Sequence, residues 1–383
     1  MDAVELTRKL VQIESTDPGS WEYEITEFIR TFLEKAGADT QCCPVQGKRS
    51  NVRGVIHGRR EHPALVFLCH MDTVVKGDGW TKDPFAAQVS DGKIWGRGAC
   101  DMKAGLACAL TAFGEAASRY AQAPDELPYS LVFIGTVDEE ADMKGSEAAV
   151  AQGWITAEDW VLDMEPTAGK IRMAHKGRAW FLLETEGVTA HASMPEKGAD
   201  AIAGMAFMIA DIRRQIEAAP AHEELGRSTV TFGQIEGGYS PYVVSDHCRV
   251  TIDMRIAPPL DRLAAEEILS HAVGVGERAV PGVKGRFQVT GDRPPVETHL
   301  ESKLLCVLKE SVEAVTGKEA QTEVFPGYTD TAVVAGVTGN QNCMSYGPGD
   351  LAQAHKPDEY VSIADIARCV SVYRELICRM ELE

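Results

Sequence analysis

The chain has 383 residues, of which 44% are hydrophobic and 25% charged, as in ordinary soluble globular proteins. Its formal net charge of −19 argues against nucleic acid or an anionic membrane as the main partner. An anionic substrate would therefore need a local positive feature, such as a metal ion or a buried arginine. No apolar run approaches the roughly 18 residues that a transmembrane helix needs, and the acidic start lacks the pattern of a secretory signal.

The cysteines indicate a reducing compartment. None of the ten forms a Cys-x-x-Cys pair, and most lie in apolar stretches. This pattern favours reduced, buried thiols over a disulfide framework or a zinc ribbon. We therefore expect a cytoplasmic protein.

The first part of the chain alternates predicted helices and strands. Apolar residues at helical spacing predict helices over residues 4–13, 22–36 and 102–121. Short apolar runs predict buried strands over residues 52–56, 64–69 and 131–137. Strands that alternate with helices indicate an α/β fold with a mainly parallel sheet flanked by helices.

The pattern changes after about Ala174. Three strands and two helices are predicted next, over residues 179–187, 198–218, 228–236, 247–256 and 260–279. The alternation then resumes after Pro294-Pro295, with a helix and two strands over residues 300–316, 322–325 and 342–346. We therefore predict a catalytic domain split into residues 1–175 and 289–383, with a smaller α+β lid inserted at residues 176–288.

Acids and histidines follow the predicted strands, where α/β proteins usually build their sites. His70 and Asp72 follow the strand at 64–69. A histidine there can bind a metal while the aspartate orients its ring, although a lone histidine is more often structural. Glu139 and Glu140 follow the strand at 131–137. One of them could hold a metal while the other moves a proton, although such a pair is usually a solvated helix face.

Three further clusters extend this set. Asp101 lies near the start of a helix, where it could also be a simple N-cap. Asp163 and Glu165 end an apolar strand, and His355 follows a glycine-rich turn. Two histidines with several carboxylates suit zinc, or cobalt and manganese, better than calcium or an iron–sulfur cluster. Two metals are feasible if one carboxylate bridges them.

In this order and spacing, the clusters resemble those of a known family. It is that of the two-zinc deacylases and exopeptidases, which includes acetylornithine deacetylase, succinyl-diaminopimelate desuccinylase, aminoacylase-1 and glutamate carboxypeptidase. The resemblance covers nearly the whole chain. It rests on residues 70–74, 80–85, 96–98 with 101–103, 138–140, 165–167, and 347–349 with 354–355.

The resemblance implies a ligand set for two zinc ions, with cobalt or manganese as possible substitutes. His70 and Glu165 would bind one metal, Glu140 and His355 the other, and Asp101 would bridge them.

It also implies roles for the neighbouring acids. Asp72 would orient His70, and Glu139 would be the general base. Asp163 is a rival to Glu165, because some relatives use an acid slightly earlier in the chain.

The resemblance extends to the lid. His191 matches a histidine that stabilises the oxyanion, often from the other subunit of a dimer, so a homodimer is expected. Arg255 matches an arginine that can clamp a substrate carboxylate, although it could equally be an ordinary strand-face arginine. Tyr242 stands where many relatives carry an asparagine that contacts substrate, which puts the transfer of any one relative's substrate in doubt.

The segment from Gly347 to Tyr360 looks most like the acetylornithine deacetylase branch. The resemblance thus implies a two-metal amidohydrolase that removes an acyl group from a small, anionic N-acyl amino acid. The alternative is a dipeptidase or glutamate-type carboxypeptidase with the same mechanism. A metal-stabilised binding protein without turnover is disfavoured by the presence of Glu139 beside a complete ligand set.

Overall fold

The computed structural model describes residues 2–120 and 124–380, which fall into two compact units. The first unit comprises the chain up to Met173, Thr298–Phe325 and the residues from Thr329 onward. The second comprises Ala174–Glu297 and Pro326–Tyr328.

Helices and strands alternate through the chain. The helices are α1 (Ala3–Gln12), α2 (Tyr23–Ala36), α3 (Ala104–Tyr120), α4 (Lys144–Ala151), α5 (Ala201–Ala218), α6 (Arg262–Ala279), α7 (Lys303–Thr316), α8 (Asp330–Thr338) and α9 (Ile363–Arg379). The strands are β1 (Thr16–Asp17), β2 (Asp39–Gln46), β3 (Arg49–Ile56), β4 (Leu65–His70), β5 (Thr73–Val74), β6 (Gln88–Ser90), β7 (Lys93–Trp95), β8 (Leu131–Thr136), β9 (Trp160–Pro166), β10 (Ile171–His175), β11 (Gly177–Glu186), β12 (Thr229–Gly237), β13 (His247–Ile256), β14 (Lys284–Arg293), β15 (Thr322–Phe325), β16 (Cys343–Gly347) and β17 (Tyr360–Ser362).

The first unit is built on an eight-stranded sheet in the order β15-β10-β16-β9-β4-β8-β3-β2. The four adjacent strands β16, β9, β4 and β8 are parallel. β10 on one side and β3 on the other run antiparallel to them, and β2 pairs antiparallel with β3. Parallel strands have their carboxyl ends at the same edge of a sheet. The residues that follow these four strands are therefore brought together.

Helices flank this sheet. Every residue of β4, β8 and β9 is buried, which requires packing on both faces of the sheet. Helix α3 packs against α1, α9 and the central strands, while α8 packs against α4 and the same strands. Two small pairings, β1 with β5 and β17-β7-β6, complete the described part of this unit.

The second unit is an α+β module. Its four-stranded antiparallel sheet has the order β12-β13-β11-β14, and α5 and α6 pack together against it. Residues of β11 and β13 alternate between buried and more exposed positions, as expected for a sheet with one face on a core. The core holds the inward side chains of these strands and of the two helices, among them Phe181, Met208, Ile252 and Leu269.

The predicted fold class, an α/β protein with a mainly parallel sheet and a separate smaller unit, is confirmed. The second unit continues to Glu297, whereas the sequence suggested residue 288, because β14 pairs with β11 as far as Arg293. The helix predicted over 102–121 corresponds to α3, and residue 121 lies outside the described residues. Within residues 2–120 and 124–380, none of the helices has both the length and the apolar character that crossing a bilayer requires.

Candidate metal centre

The predicted site residues gather at the carboxyl ends of the four parallel strands. His70 is the last residue of β4, and Glu139 and Glu140 follow β8. Glu165 lies near the end of β9, and His355 follows β16. All five belong to the first unit. The sheet topology therefore brings together side chains that are up to 285 residues apart in the chain, the separation between His70 and His355.

The first half of the site is built around His70, which is buried. Its Nε2 atom lies 3.2 Å from Oδ1 of Asp101 and 3.5 Å from Oε1 of Glu165. Potential ligand atoms of His70, Glu139 and Glu165 all lie within 4.8 Å of one another. One nitrogen and several carboxylate oxygens thus converge on one point.

The second half is built around His355. Its Nε2 atom lies 3.4 Å from Oδ2 of Asp101 and 3.0 Å from Oε2 of Glu140. Asp101 therefore directs one carboxylate oxygen toward each histidine. It occupies the position that a bridging ligand would need.

Asp101 reaches this position because its backbone leaves the helical path. It lies in the short turn Ala99–Lys103 that precedes α3, with φ −119° and ψ 97°. The turn begins after Gly98, whose φ of 78° is left-handed, and a Cβ there would meet the Thr73 side chain at 2.5 Å. A glycine is required at this position for both reasons. Asp101 is thus a loop residue rather than an N-cap.

The electrostatics of the centre match a cation site. Burial alone would raise the pKa of Asp101, but hydrogen bonds with His355 and His70 outweigh it and hold the pKa below its usual range. Burial, followed by the charge of Asp101, raises the pKa of both Glu140 and Glu165. Buried carboxylates whose negative charge is so poorly compensated fit divalent metal ions. The mixed nitrogen and oxygen donors fit zinc and its neighbours in the transition series.

Asp72 contacts the His70 ring mainly through its main chain. The His70 ring is held through Nδ1 by the carbonyl oxygen of Asp72, at 3.0 Å, while the nearest carboxylate oxygen is 3.8 Å away. The Asp72 carboxylate instead accepts hydrogen bonds from the backbone N–H groups of Glu139 and Glu140, at 3.3 and 3.0 Å. Asp72 therefore orients the histidine with its backbone and the two glutamates with its side chain.

Glu139 is buried next to this centre. Burial raises the pKa of its carboxyl group well above the ordinary value, and the nearby charges of Glu140 and Asp330 add to the effect. A carboxyl group with a raised pKa suits proton transfer near neutral pH. Its short distance to His70 and Glu165 would also allow it to be a ligand.

Two partners that the sequence did not reveal hold the turn before Glu139. Asp138 has a left-handed backbone with φ 72°. Its carboxylate accepts a hydrogen bond from Arg49 at 2.8 Å, and its backbone N–H donates to Glu22 at 3.3 Å. Arg49 and Glu22 are themselves a buried ion pair. Only their contacts in the fold connect them with the site, because both precede Asp138 by about 90 residues or more.

Asp163, the rival of Glu165, is also buried. Burial, followed by the charge of Asp330, raises the pKa of Asp163 well above its usual value. Asp330 accepts hydrogen bonds from Thr136 and Ser146. Of these two rivals, Glu165 is the one whose carboxylate forms a contact with the His70 ring, at 3.5 Å from Nε2.

The lid residues belong to the second unit. His191 is exposed, and its Nδ1 atom accepts the backbone N–H of Ser193 at 3.2 Å. Arg255 forms two hydrogen bonds with Asp253 at 2.8 and 3.1 Å, as an ordinary strand-face arginine would. Tyr242 is 66% exposed.

Comparisons with known proteins agree with this architecture. Residues 66–379 match the model of peptidase family M20/M25/M40. The chain belongs to this family. Among its relatives, acetylornithine deacetylase of Proteus mirabilis is 27% identical, over 98% of this chain and 95% of the relative. The acetylornithine deacetylase of Erwinia tasmaniensis is 28% identical, over 95% of this chain and 94% of the relative.

Solved structures of M20 proteins share the fold. The metallo-carboxypeptidase Sso-CP2 of Sulfolobus solfataricus has a TM-score of 0.80 at 18% identity, over 98% of this chain and 99% of that one. The YXEP protein of Bacillus subtilis, a dinuclear metal-binding peptidase, has a TM-score of 0.68 at 18% identity, over 98% of this chain and 96% of that one. This M20 protein is therefore a metal-dependent hydrolase that acts on amide bonds.

Proposed function

We propose that the protein is a two-metal amidohydrolase that removes an acyl group from a small N-acyl amino acid, as an acetylornithine deacetylase-like enzyme. The observation that carries the two-metal proposal is the position of Asp101. One of its oxygens lies 3.2 Å from His70 and the other 3.4 Å from His355. The deacylase proposal is supported by the two acetylornithine deacetylases that align with nearly the whole chain.

Five residues would hold the metals, which we propose to be zinc, with cobalt or manganese as substitutes. His70 and Glu165 would bind one ion, Glu140 and His355 the other, and Asp101 both. Each of these contacts is supported by a ligand-to-ligand distance of 3.5 Å or less. With two ions bound, the site would supply a water of lowered pKa and a Lewis acid for the amide carbonyl.

Glu139 would move the proton. It directly precedes Glu140 in the same turn, and the backbone N–H groups of both residues donate to the Asp72 carboxylate. From this position it would accept a proton from the attacking water and deliver it to the leaving nitrogen. The buried surroundings that raise its pKa keep the proton available for the second transfer.

His191 and Arg255 would complete the site from the lid. The proton on Nε2 of His191 would stabilise the oxyanion, and we propose that a partner subunit of a homodimer supplies this residue. Arg255 would bind the substrate carboxylate in two-point fashion once it leaves Asp253. The existing ion pair makes this the less supported of the two roles.

We propose that the enzyme acts in the cytoplasm. All ten cysteines, each of which lies within the described residues, are free thiols. This state is typical of proteins in reducing compartments.

The experiment that tests the proposal is a substrate screen with zinc-reconstituted enzyme. N-acetyl and N-succinyl amino acids are compared with dipeptides and with peptides that end in glutamate, and the released amine is measured. We expect the highest kcat/KM for an N-acyl amino acid. A higher value for a dipeptide or a glutamate-terminated peptide would favour the exopeptidase alternative, and failure to hydrolyse any amide would contradict both.

A further inference from the structure

Glu359 is a buried carboxylate close to the metal centre that has no role in the proposed reaction. It follows His355 by four residues and is 1% exposed. Its Oε1 atom accepts the backbone N–H groups of Cys100 and Asp101, at 2.8 and 3.1 Å. Its Oε2 atom accepts the backbone N–H of Gly98 at 3.1 Å and the Arg97 guanidinium at 2.5 Å.

These bonds meet a specific need of the Asp101 loop. The N–H groups at the start of a helix have no acceptor within the helix, and here the irregular turn Ala99–Lys103 precedes α3. Glu359 supplies the acceptors for three N–H groups in the loop 98–101. A negative charge at this end of α3 also interacts favourably with the helix dipole.

The same carboxylate connects two loops that carry metal ligands. The backbone of Glu359 accepts the N–H of Gly96 at 2.9 Å, so both its main chain and its side chain are bonded to the loop 96–101. The loop that leads to Glu359 begins at His355, which has a left-handed φ of 62°. A shift of Glu359 would therefore move Asp101 and His355 relative to each other.

Arg97 binds the Glu359 carboxylate and is itself buried. Arg97 is 2% exposed. Its guanidinium donates hydrogen bonds to Glu359 and to the carbonyl oxygen of Lys76, and it lies 5.2 Å from the centre of the Trp80 ring. None of the hydrogen bonds described for the Glu359 and Arg97 side chains goes to a proposed metal-ligand atom. The pair instead fixes the backbone from which Asp101 projects.

We propose that Glu359, held by Arg97, is a positioning residue that couples the two metal sites through the Asp101 loop. This inference rests on the proposed two-metal function. It predicts that loss of the Glu359 carboxylate, which accepts the N–H groups of the Asp101 loop, weakens metal binding even though Glu359 is not a ligand. Groups that orient metal ligands commonly contribute about 10–100-fold to metal affinity.

The test is a zinc titration of the full-length, metal-free protein by calorimetry, with Glu359→Gln compared with wild type. The matched control is Asp358→Asn, which removes the adjacent carboxylate. That side chain bonds Thr81 and Lys82 instead of the Asp101 loop, and asparagine tolerates its left-handed φ of 54°. We expect zinc affinity to fall by about 10–100-fold in Glu359→Gln and to change less than twofold in the control. The visible spectrum of the cobalt-loaded variant should also change.

Equal zinc affinity and an unchanged cobalt spectrum in folded Glu359→Gln would overturn the inference while leaving the two-metal proposal intact. A wild-type protein that binds fewer than two metals would instead contradict the proposed function. If Glu359→Gln does not fold, the same zinc titration of Arg97→Lys tests the inference. That variant keeps the charge but loses the planar fork, and we expect weaker zinc binding, whereas wild-type affinity would overturn the inference.

Discussion

The ring of His70 is oriented by the main chain of Asp72: Nδ1 lies 3.0 Å from the carbonyl oxygen and 3.8 Å from the carboxylate. With Nδ1 engaged in this way, Nε2 faces Asp101 and Glu165. The Asp72 carboxylate is then available to accept the backbone N–H groups of Glu139 and Glu140, which follow β8. The two proposed functions of this aspartate, histidine orientation and support of the proton-transfer residue, can therefore be separated by mutation.

Asp72→Asn should reduce turnover while leaving the metal content near that of wild type. The amide keeps one acceptor oxygen but turns an NH₂ group toward one of the backbone N–H groups of Glu139 and Glu140. We expect kcat to fall about 10–100-fold through misplacement of Glu139. Steady-state kinetics and metal analysis of the purified variant check this. Loss of metal would contradict this prediction and show that the carboxylate also supports a metal ligand, either His70 or Glu140.

Glu139→Gln should nearly abolish hydrolysis and leave two metals bound. Glutamine has the shape of glutamate but cannot accept the proton, so we expect kcat to fall by about 10²–10⁴-fold. Asp142→Asn, an exposed change in the same loop, is the control and should have wild-type kcat. Because Glu139 lies within ligand distance of His70 and Glu165, a loss of one metal in the variant would make it a ligand instead of the base.

The sequence predicts best those parts of the fold in which the pattern of one segment determines its structure. The run Leu131–Thr136 is entirely apolar or small, and it is a fully buried strand. Helix α8, Asp330–Thr338, was not predicted because its residues are apolar on nearly all sides, so they show no helical periodicity. The helix packs against α4, β4 and β9, and these tertiary contacts cannot be recognised from the pattern of its own residues.

The site follows the same rule. The proposed ligands could be located from the sequence because each lies at the end of a strand or beside a glycine turn. The residues that hold these ligands in place could not be located in this way. Arg49 reaches Asp138 across 89 residues, and Glu359 reaches Cys100 across 259. Such contacts depend on the tertiary structure, and no local pattern of one segment contains them.

His191→Ala should reduce kcat without loss of metal. Nδ1 of His191 accepts the N–H of Ser193, so in the neutral ring the proton is on Nε2, where it can be donated to an oxyanion. Loss of one such donor commonly costs about 10²–10³-fold in kcat. Ser193→Ala should have a smaller effect, because it removes only the hydroxyl next to Nδ1. His271→Ala, on α6 of the same unit, is the control. Wild-type turnover of His191→Ala would remove this residue from the mechanism.

His175 should make the stability of the protein depend on pH between about 4 and 6.5. This histidine is 1% exposed, and burial lowers its pKa from 6.5 to about 4. In that interval the unfolded chain binds a proton that the folded chain does not, so the free energy of unfolding decreases as the pH falls. Stability is fully present above pH 6.5, and the loss is about 3 kcal/mol at pH 4, since each pKa unit corresponds to about 1.4 kcal/mol.

His175→Phe should remove this dependence, because a phenyl ring keeps the packing near Tyr328 and does not titrate. Urea unfolding of wild type and variant between pH 4 and 7.5 measures the two free energies. Subtracting one curve from the other cancels the titration of the other groups. We expect the difference to favour wild type most at pH 7 and to decrease steadily toward pH 4. A difference that is constant over this range would contradict a histidine that is buried in its neutral form.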